Sequence, residues 1–350
     1  MEVAQLQQTV LDHASRQSGL AIAGGNSKSF YGREISGTPL NMSDYNGFIN
    51  YDPSELVITV KSGTRVRAVI DRLAESGQML PFEPPVFSEH STIGGVVAAG
   101  LSGPARAWTG SVRDYVLGIT CINGRGQVLR FGGQVMKNVA GYDASRLITG
   151  SLGTLAVILE ISFKVLPIPE TEETVYLDMD QKRAIDYMAN LNVRPLPVSG
   201  TCFYKDRLYI RLSGSRAGVD AALDQLDGDL LDDKSFWQSL RDQQLGFFES
   251  GEDVLWRLSL PQATAPLPLD GEPLLEWGGA LRWLKSAQSA EQIRDLVVRH
   301  GGTATQFRNA DRSGQIFHPL SPVVHRLNQN IKRSFDPDKI FNPQRMYQDI

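Results

Sequence analysis

Residues 83–118 read EPPVFSEHSTIGGVVAAGLSGPARAWTGSVRDYVLG, a stretch rich in glycine and alanine with few bulky side chains. A flat tricyclic ring can approach main chain closely only where Cβ groups are absent or small. The small central residues therefore predict a wall against a cofactor ring, formed by Gly94, Gly95, Ala98, Ala99 and Gly100. Tight packing of a buried helix explains the same composition equally well, so this stretch alone leaves both interpretations open.

A second segment, IAGGNSKSF at residues 22–30, leads from a strand-like run into two glycines and small polar side chains. Successive backbone amides in such a turn form a concave nest for an anion, which suits a pyrophosphate. Asn26, Ser27 and Ser29 add side-chain donors, and Lys28 adds a positive charge. The segment matches neither GxxxxGK[ST] nor GxGxxG, so it disfavours both of those nucleotide sites. A plain glycine-rich turn is the alternative.

A third segment, MKNVAGYDASRLITGSLGTLAVILEISFKV at residues 136–165, combines a turn, a short helix, a glycine elbow and one long strand. Asp143 is suited to cap the helix by accepting N–H bonds from its first turn. Gly150 and Gly153 permit the change of direction, and the edge of the following strand can offer main-chain groups to a nucleotide base. A purely structural role is an equal alternative.

The elements around these segments predict an α+β domain with much antiparallel sheet. LAIAGG and ELVITV are typical of buried strands, and GTRVRAVIDRLAESG is typical of a helix ended by Gly77. The turn Asn123-Gly124-Arg125-Gly126 predicts a hairpin, because Asn-Gly readily supplies the positive φ angles of a tight turn.

The segment VLPIPETEET, residues 165–174, predicts a domain boundary near residue 170, since its prolines stop a strand and its acidic run suggests a solvated link. The first domain is expected to span residues 1–170. Over residues 171–335 we expect a sheet covered by helices on one face, because strand patterns alternate there with amphipathic helices near 181–190, 216–226, 234–244 and 288–300. The tail, residues 336–350, is expected to pack back on the first domain.

Composition excludes several classes of protein. The 350 residues carry a formal net charge of −4. Binding of nucleic acid or anionic lipid requires clustered Lys and Arg, so this charge disfavours both classes of partner. Cys121 and Cys202 offer neither a disulfide framework nor metal-type spacing. No signal peptide and no membrane-spanning run is read. We therefore expect a cytoplasmic protein that reaches a membrane only through partner subunits.

In order and spacing, the three segments resemble the FAD-binding domain of the vanillyl-alcohol oxidase and p-cresol methylhydroxylase superfamily. The resemblance implies a two-part FAD-binding domain followed by an α+β cap domain. In that family the first glycine loop holds the pyrophosphate, and the later segments lie beside the flavin ring and the adenine. Carried over, the pyrophosphate loop is Gly24, Gly25, Asn26, Ser27, Lys28 and Ser29. The flavin contacts are Thr92, Gly94, Gly95, Ala98, Ala99, Gly100, Ser102, Gly103, Ser111, Val112, Gly153 and Ile158.

Strings along almost the whole chain, among them NSKSFYGR, EWGGALRWLK and FNPQRMY, are similar to the FAD-binding subunits of bacterial glycolate oxidases. This resemblance implies a complex with a larger FAD-containing catalytic subunit and an iron–sulfur subunit. It also implies glycolate as the substrate of the complex and D-lactate as a further one, with electrons passing to a quinone or another acceptor.

The chain departs from the superfamily pattern in two ways. Members that attach FAD covalently commonly place a histidine beside the first glycine loop, whereas this loop reads Gly-Gly-Asn-Ser, so non-covalent FAD is expected. His90 is interpreted as a surface or supporting residue. Relatives that oxidise 2-hydroxy acids carry HxGDGN-type segments with a metal-binding His and Glu, and the five scattered histidines of this chain form no such set. No catalytic residue and no metal site is predicted.

Three hypotheses remain open from the sequence. In the first, the chain is an FAD-carrying subunit that acts in electron transfer or structural support beside a catalytic flavoprotein. In the second, it is a self-sufficient dehydrogenase that binds its substrate with Arg282 or Arg106. In the third, it is a scaffold that holds FAD only structurally. Trp277 and Trp283, with Arg282 and Lys285, could line a carboxylate pocket, although core tryptophans beside snorkelling cations are the simpler interpretation.

Overall fold

The computed structural model describes residues 1–133, 144–191, 193–249 and 251–350. Up to residue 167 its helices and strands are α1 (Val3–Arg16), β1 (Leu20–Ala23), β2 (Thr38–Asn41), β3 (Phe48–Asp52), β4 (Val57–Lys61), α2 (Val66–Ala74), β5 (Gln78–Met79), α3 (Ile93–Ala99), α4 (Arg106–Thr109), α5 (Val112–Tyr115), β6 (Val116–Ile122), β7 (Val128–Gly132), α6 (Ala144–Ile148), β8 (Val157–Lys164) and β9 (Leu166–Pro167). From residue 171 they are β10 (Thr171–Asp178), α7 (Gln181–Leu191), β11 (Val198–Tyr204), β12 (Arg207–Gly214), α8 (Arg216–Leu223), β13 (Asp229–Leu230), α9 (Phe236–Arg241), β14 (Val254–Ser259), β15 (Leu274–Glu276), β16 (Leu281–Ser286), α10 (Ala290–Arg299), β17 (Thr303–Arg308) and α11 (Pro322–Phe335). Of the helices in these ranges, none is long and apolar enough to cross a membrane.

A five-stranded sheet forms the centre of the first part. Its order is β3-β4-β8-β6-β7, and every neighbouring pair is antiparallel, as the sequence predicted. The middle strand, β8, buries Ile161 and Phe163 in a core that also contains Ile58 of β4 and Val69 of α2. The apolar face of α2 therefore shares one core with the β-branched run of β8, and this core lies under the site described below.

The predicted hairpin joins β6 and β7, but its positive φ falls at Gly126 and not at Gly124. Asn123 Oδ1 accepts hydrogen bonds from the backbone amides of Arg125 and Gln127, each at 3.0 Å, and this side chain organises the turn. A Cβ on Gly124 would lie 2.7 Å from Oδ1 of Asp336, so close packing explains that glycine. The expectation that Asn-Gly supplies the positive φ was wrong in this respect.

The second part is built on an eight-stranded antiparallel sheet in the order β13-β10-β12-β11-β15-β16-β14-β17. Helices α7, α8 and α10 cover one face, where Ile185, Val219 and Ile293 are buried. The opposite face packs on the first part, because Phe307 of β17 shares a core with Leu101 and with the elbow before β8. The fourth predicted helix, α9, lies on this opposite face, because Phe236 stacks on Tyr209 and shares that core with Phe307. The prediction that all the helices cover one face was therefore wrong for α9. The opposite face, with α9 on it, is the inner face over the site.

The tail returns to the first part, as expected. β1 and β2 pair in parallel, and Leu20 of β1 forms a further parallel bridge with Phe341. The amide of Leu20 donates to the Ile340 carbonyl at 2.7 Å, and the amide of Asn342 donates to the Leu20 carbonyl at 2.9 Å. The tail thus lies beside β1 like an additional short strand.

A buried ion pair anchors the end of α11. Lys332 Nζ lies 2.8 Å from Asp336 Oδ2, and the two side chains are 1% and 0% exposed. Lys332 Nζ also donates to the carbonyls of Thr154 at 2.7 Å and Phe341 at 3.0 Å, while the Asp336 carboxylate accepts the amides of Ile340 and Phe341. Every charge of the pair is satisfied, so it ties helix, elbow and tail together.

Candidate functional site

An open groove lies between the loop after β1 and helix α3. It consists of two adjoining cavities of about 450 and 620 Å³ that share much of their lining. The structure brings the three predicted segments together here, and the predicted residues that line the groove are Gly24, Gly25, Asn26, Ser27, Lys28, Ser29, Thr92, Gly94, Gly95, Ala98, Ala99, Gly153 and Ile158.

The loop after β1 presents a run of unpaired backbone amides. Within the part of the chain that the structure describes, the N–H groups of residues 24–28 donate no hydrogen bond, whereas that of Ser29 donates to the Asn26 carbonyl at 3.1 Å. Asn26 adopts a left-handed φ of 54°, a conformation typical of anion-binding nests. Because backbone amides are strong donors that need an acceptor, this end of the groove suits a phosphate group.

Gly24 and Gly25 are needed because this loop lies directly on residues 90–92. A Cβ on Gly25 would be 1.5 Å from the His90 carbonyl oxygen, and one on Gly24 would be 2.2 Å from Thr92 Oγ1. Ser91 Oγ donates to Ser27 Oγ at 2.9 Å and adds a side-chain link between the two segments. The His90 side chain is 60% exposed. The absence of side chains therefore lets one loop rest on the backbone of the other.

Helix α3 provides the apolar wall of the groove. Thr92 caps it by accepting the Gly95 amide at 3.3 Å. The Gly94 amide donates to the Ser62 carbonyl at 2.7 Å, and a Cβ on Gly94 would lie 2.9 Å from that oxygen. A Cβ on Gly95 would have only Thr92 Oγ1, at 3.3 Å, within contact range. The two glycines thus serve different needs, since Gly94 packs on the turn after β4 and Gly95 keeps the groove open.

The far wall of the groove joins the elbow before β8 to the tail. Gly153 has a φ of 71° and its neighbour Leu152 a φ of 52°, which turns the chain sharply into β8. Asn342 Nδ2 donates to the Leu152 carbonyl at 2.7 Å, and its Oδ1 accepts the Ile22 amide at 2.6 Å. One amide side chain therefore joins β1, the elbow and the tail, and it lines the groove itself.

Arg345 is a second tail residue in the groove that sequence reasoning missed. Its Nη2 donates to the Ser29 carbonyl at 3.0 Å and its Nη1 to the Arg33 carbonyl at 2.7 Å. Burial, together with Arg312, lowers the pKa of Arg345 to about 10. The string FNPQRMY was the one available signal, because it contains both Asn342 and Arg345. Asp143, the predicted cap of α6, lies outside the described residues.

The remaining predicted flavin contacts do not line this groove. Gly100 ends α3 with a φ of 67°, and Ser111 caps the short helix α5. The Val112 amide donates to Ser102 Oγ at 3.0 Å. Ser102 and Gly103 instead line a second cavity, on the side of the eight-stranded sheet.

Lys28 extends from the loop toward the second part. Its Nζ is buried, has no hydrogen-bond partner among the described residues, and lies 5.4 Å from the centre of the Phe87 ring. Burial lowers the pKa of Lys28 to about 8, and Asp242 partly offsets this effect. Since a buried unpaired ammonium is costly, its position beside the groove favours an anionic ligand.

The second cavity lies under the inner face of the eight-stranded sheet. Its polar lining includes Arg257 of β14 and Glu276 of β15. Glu276 is 5% exposed, and its Oε1 accepts a hydrogen bond from Trp283 Nε1 at 2.7 Å. Burial raises the pKa of Glu276 to about 7, against the opposing effects of Trp283 and Arg257. Trp277 Nε1 donates to the Gly103 carbonyl at 3.0 Å, which joins this cavity to the first part.

The two arginines considered as substrate clamps have other contacts. Arg282 is 2% exposed and donates to the carbonyls of Gly279, Ala265 and Thr264. Arg106 lies over the Trp277 ring at 4.3 Å and is not among the residues that line the second cavity. Trp277 and Trp283 are each 5% exposed, as core tryptophans would be.

Comparisons with known proteins agree with this geometry. The sequence profile described as "FAD binding domain" matches residues 2–132. The chain is 47% identical to the glycolate oxidase subunit GlcE of Escherichia coli over 336 residues, which cover 96% of this chain and 95% of that protein. It is 33% identical to the glycolate oxidase subunit GlcD of Bacillus subtilis over 160 residues, or 46% of this chain and 33% of that one. Among solved structures, p-cresol methylhydroxylase with substrate bound has a TM-score of 0.73 at 14% identity, over 99% of this chain and 88% of that one, and therefore shares the fold.

Proposed function

Because this chain belongs to the family of the glycolate oxidase subunit GlcE, we propose that it is the FAD-holding subunit of a complex that oxidises glycolate and related 2-hydroxy acids. The observation that carries this proposal is the run of unpaired amides at residues 24–28, which lies at one end of the groove beside α3. In this complex the chain acts in electron transfer or structural support beside a catalytic flavoprotein.

FAD would lie along the whole groove. The pyrophosphate would accept hydrogen bonds from the amides of residues 24–28, and the buried charge of Lys28 would compensate part of its negative charge. The flavin ring would run beside α3, where Gly95 leaves space, and the adenine would lie near Gly153 and Ile158. Ser62 Oγ, which is buried without a partner in the described part of the chain, would be free to bond the ligand. Bound FAD supplies a two-electron acceptor.

We further propose that FAD is held without a covalent bond. Covalent attachment requires a His, Cys or Tyr at the flavin, and none of the described residues that line the groove is of these types. The proposed domains are residues 1–170 for the cofactor, residues 171–335 for the cap, and residues 336–350 for the tail. The change of sheet between β9 and β10 supports the division near residue 170.

The proposed partners are a larger FAD-containing catalytic subunit and an iron–sulfur subunit. The relation to both GlcE and GlcD supports a complex with more than one flavoprotein. We propose a cytoplasmic location, with any membrane contact made by the partners.

A second candidate function is a self-sufficient 2-hydroxy acid dehydrogenase, and one observation favours it. The second cavity places a buried carboxylate, Glu276, and an arginine, Arg257, beside Ser102. Ser102 belongs to the segment of residues 83–118, which is expected to contact the flavin. This arrangement offers a hydrogen-bond acceptor for a hydroxyl group and a cation for a carboxylate.

One preparation of the full chain tests these proposals. After reconstitution with FAD, the bound flavin is measured by absorbance, and the protein is then precipitated with acid. We expect about one FAD per chain and its complete release into the supernatant. No bound flavin at saturating FAD would overturn the proposed function, and flavin that stays with the precipitate would overturn the non-covalent assignment. Anaerobic addition of glycolate distinguishes the two candidates, since rapid bleaching of the flavin by this chain alone supports the dehydrogenase.

A further inference from the structure

Two opposite charges face the second cavity without touching. Arg257 lies on β14 and Glu276 on β15, and these strands are separated by β16. Two strand spacings put the backbones about 9–10 Å apart. Trp283 of β16 pairs directly with Arg257 in the strand register and donates its indole N–H to Glu276. The indole therefore fixes both charged groups at opposite sides of one small space.

The Arg257 guanidinium has no polar partner among the residues that the structure describes. It makes neither a hydrogen bond nor an ion pair with any described residue, and it is held by the rings of Trp277 at 5.2 Å and Trp283 at 6.0 Å. The other arginine of the lining, Arg241, already forms a two-pronged pair with Asp242 at 2.7 and 2.9 Å. A guanidinium fork matches a carboxylate with two parallel hydrogen bonds. Because the Arg257 guanidinium has no such partner among the described residues, it indicates a carboxylate ligand.

Glu276 offers the complementary group. One of its oxygens accepts the Trp283 indole, and the other has no hydrogen bond to any residue in the described ranges. The charged and titratable groups that act on it are Arg257 from β14, Glu83 from the first part and Cys202 from β11. A carboxylate in this setting prefers a ligand that donates a hydrogen bond.

The rest of the lining limits what can enter. Phe87, Leu281 and Phe307 supply apolar walls, and the indole of Trp277 closes the side toward Gly103. The space between Arg257 and Glu276 therefore suits a molecule with a carboxylate at one end, a hydroxyl next to it and little else.

We propose that this cavity binds a small 2-hydroxycarboxylate, with the carboxylate on Arg257 and the hydroxyl donating to Glu276. The class of ligand rests on the proposed function, whereas the two contacts rest on the cavity alone. Bound in this way, the ligand lies against Ser102 and Gly103, which follow α3 in the chain.

The test compares glycolate with acetate, which lacks the hydroxyl, by isothermal titration calorimetry of the full chain with and without FAD. We expect glycolate to bind about 10-fold more tightly than acetate, because one charge-assisted hydrogen bond separates them. Arg257→Met should weaken both ligands by about 10- to 100-fold, and Arg257→Lys should weaken them less. Glu276→Gln should reduce the preference for glycolate over acetate, because the hydroxyl then meets a neutral amide oxygen in place of a carboxylate.

The pH dependence adds a second readout. The preference for glycolate should grow between about pH 6 and pH 8 in the unsubstituted chain, as Glu276 ionises, and stay flat in Glu276→Gln. Matched controls are Arg207→Met and Glu272→Gln, which replace exposed residues outside the cavity. Melting temperatures show whether each variant is folded.

The outcomes separate this proposal from the proposed function. If glycolate and acetate bind equally, or if neither binds to a chain that holds FAD, the cavity proposal is overturned while the cofactor proposal stands. If the chain binds glycolate with these variant effects but never retains FAD, the cofactor proposal fails and the cavity proposal stands.

Discussion

Replacing Gly25 by alanine should prevent FAD binding, because the loop that carries the amides cannot stay on residues 90–92. The new Cβ would be 1.5 Å from the His90 carbonyl oxygen and 2.3 Å from its carbon. Both are backbone atoms, so one of the two segments must move by about 1.5 Å to restore a separation near 3.0 Å. Such a shift takes at least two of the amides out of hydrogen-bonding distance of the phosphates. Bonds to charged groups are worth about 1.5–3 kcal/mol each, so Kd for FAD should rise by about 10²- to 10⁴-fold.

The assay is a titration of FAD followed by quenching of flavin fluorescence. Gly214→Ala is the matched control, since its Cβ would meet only Pro197 Cβ at 3.8 Å, an ordinary contact. Ser27→Ala provides a second comparison, because it removes a hydroxyl from the same loop and leaves the backbone in place. Melting curves recorded without FAD separate loss of the site from loss of the fold. A Gly25→Ala chain that binds FAD within threefold of the unsubstituted Kd would refute the placement of the pyrophosphate.

Two further predictions concern buried charges. Lys332→Met leaves Asp336, which is 0% exposed, without its cation, so the free energy of unfolding should fall by about 3–5 kcal/mol in urea titrations; a loss under about 1 kcal/mol would contradict the anchoring role. The pKa of Glu276 is about 7 in the folded chain and about 4.5 in the unfolded chain, so the unfolded chain loses this proton at lower pH. The free energy of unfolding should therefore fall as pH rises from about 4.5 to about 7, by up to about 3 kcal/mol. Glu276→Gln should remove that part of the slope, and equal slopes in the two proteins would exclude Glu276 as its source.

Elements with a strong local pattern were predictable from the sequence. The spacing of Val66, Val69 and Leu73 indicated α2, and the β-branched run of β8 indicated a buried strand, because both signals arise within one element. The hairpin was predicted as well, but its details depended on the Asn123 side chain and on the distant Asp336. Strands β15, β16 and β17 were missed. β15 has only three residues, and both β15 and β16 adjoin the glycine turn at 277–279.

Within the candidate site, the glycine loop and α3 were predictable, whereas the tail residues were not. Asn342 reaches the groove through contacts with Ile22, 320 positions away, and no local pattern encodes such a pairing. Glu276 and Arg257 were missed for a similar reason, because their significance comes from sharing the inner face of one sheet. Gly94 and Gly95 also have different functions, and two adjacent glycines give no sequence signal that would distinguish them.

The position of Asn342 has a consequence for how the protein is made. Its side chain completes a wall whose other half, at Ile22, is synthesised 320 residues earlier. At roughly 5–20 residues per second, a ribosome needs tens of seconds to cover that distance. During that time the nucleotide loop exists beside an unfinished wall. We therefore expect the complete cofactor site to form only after the tail has been translated.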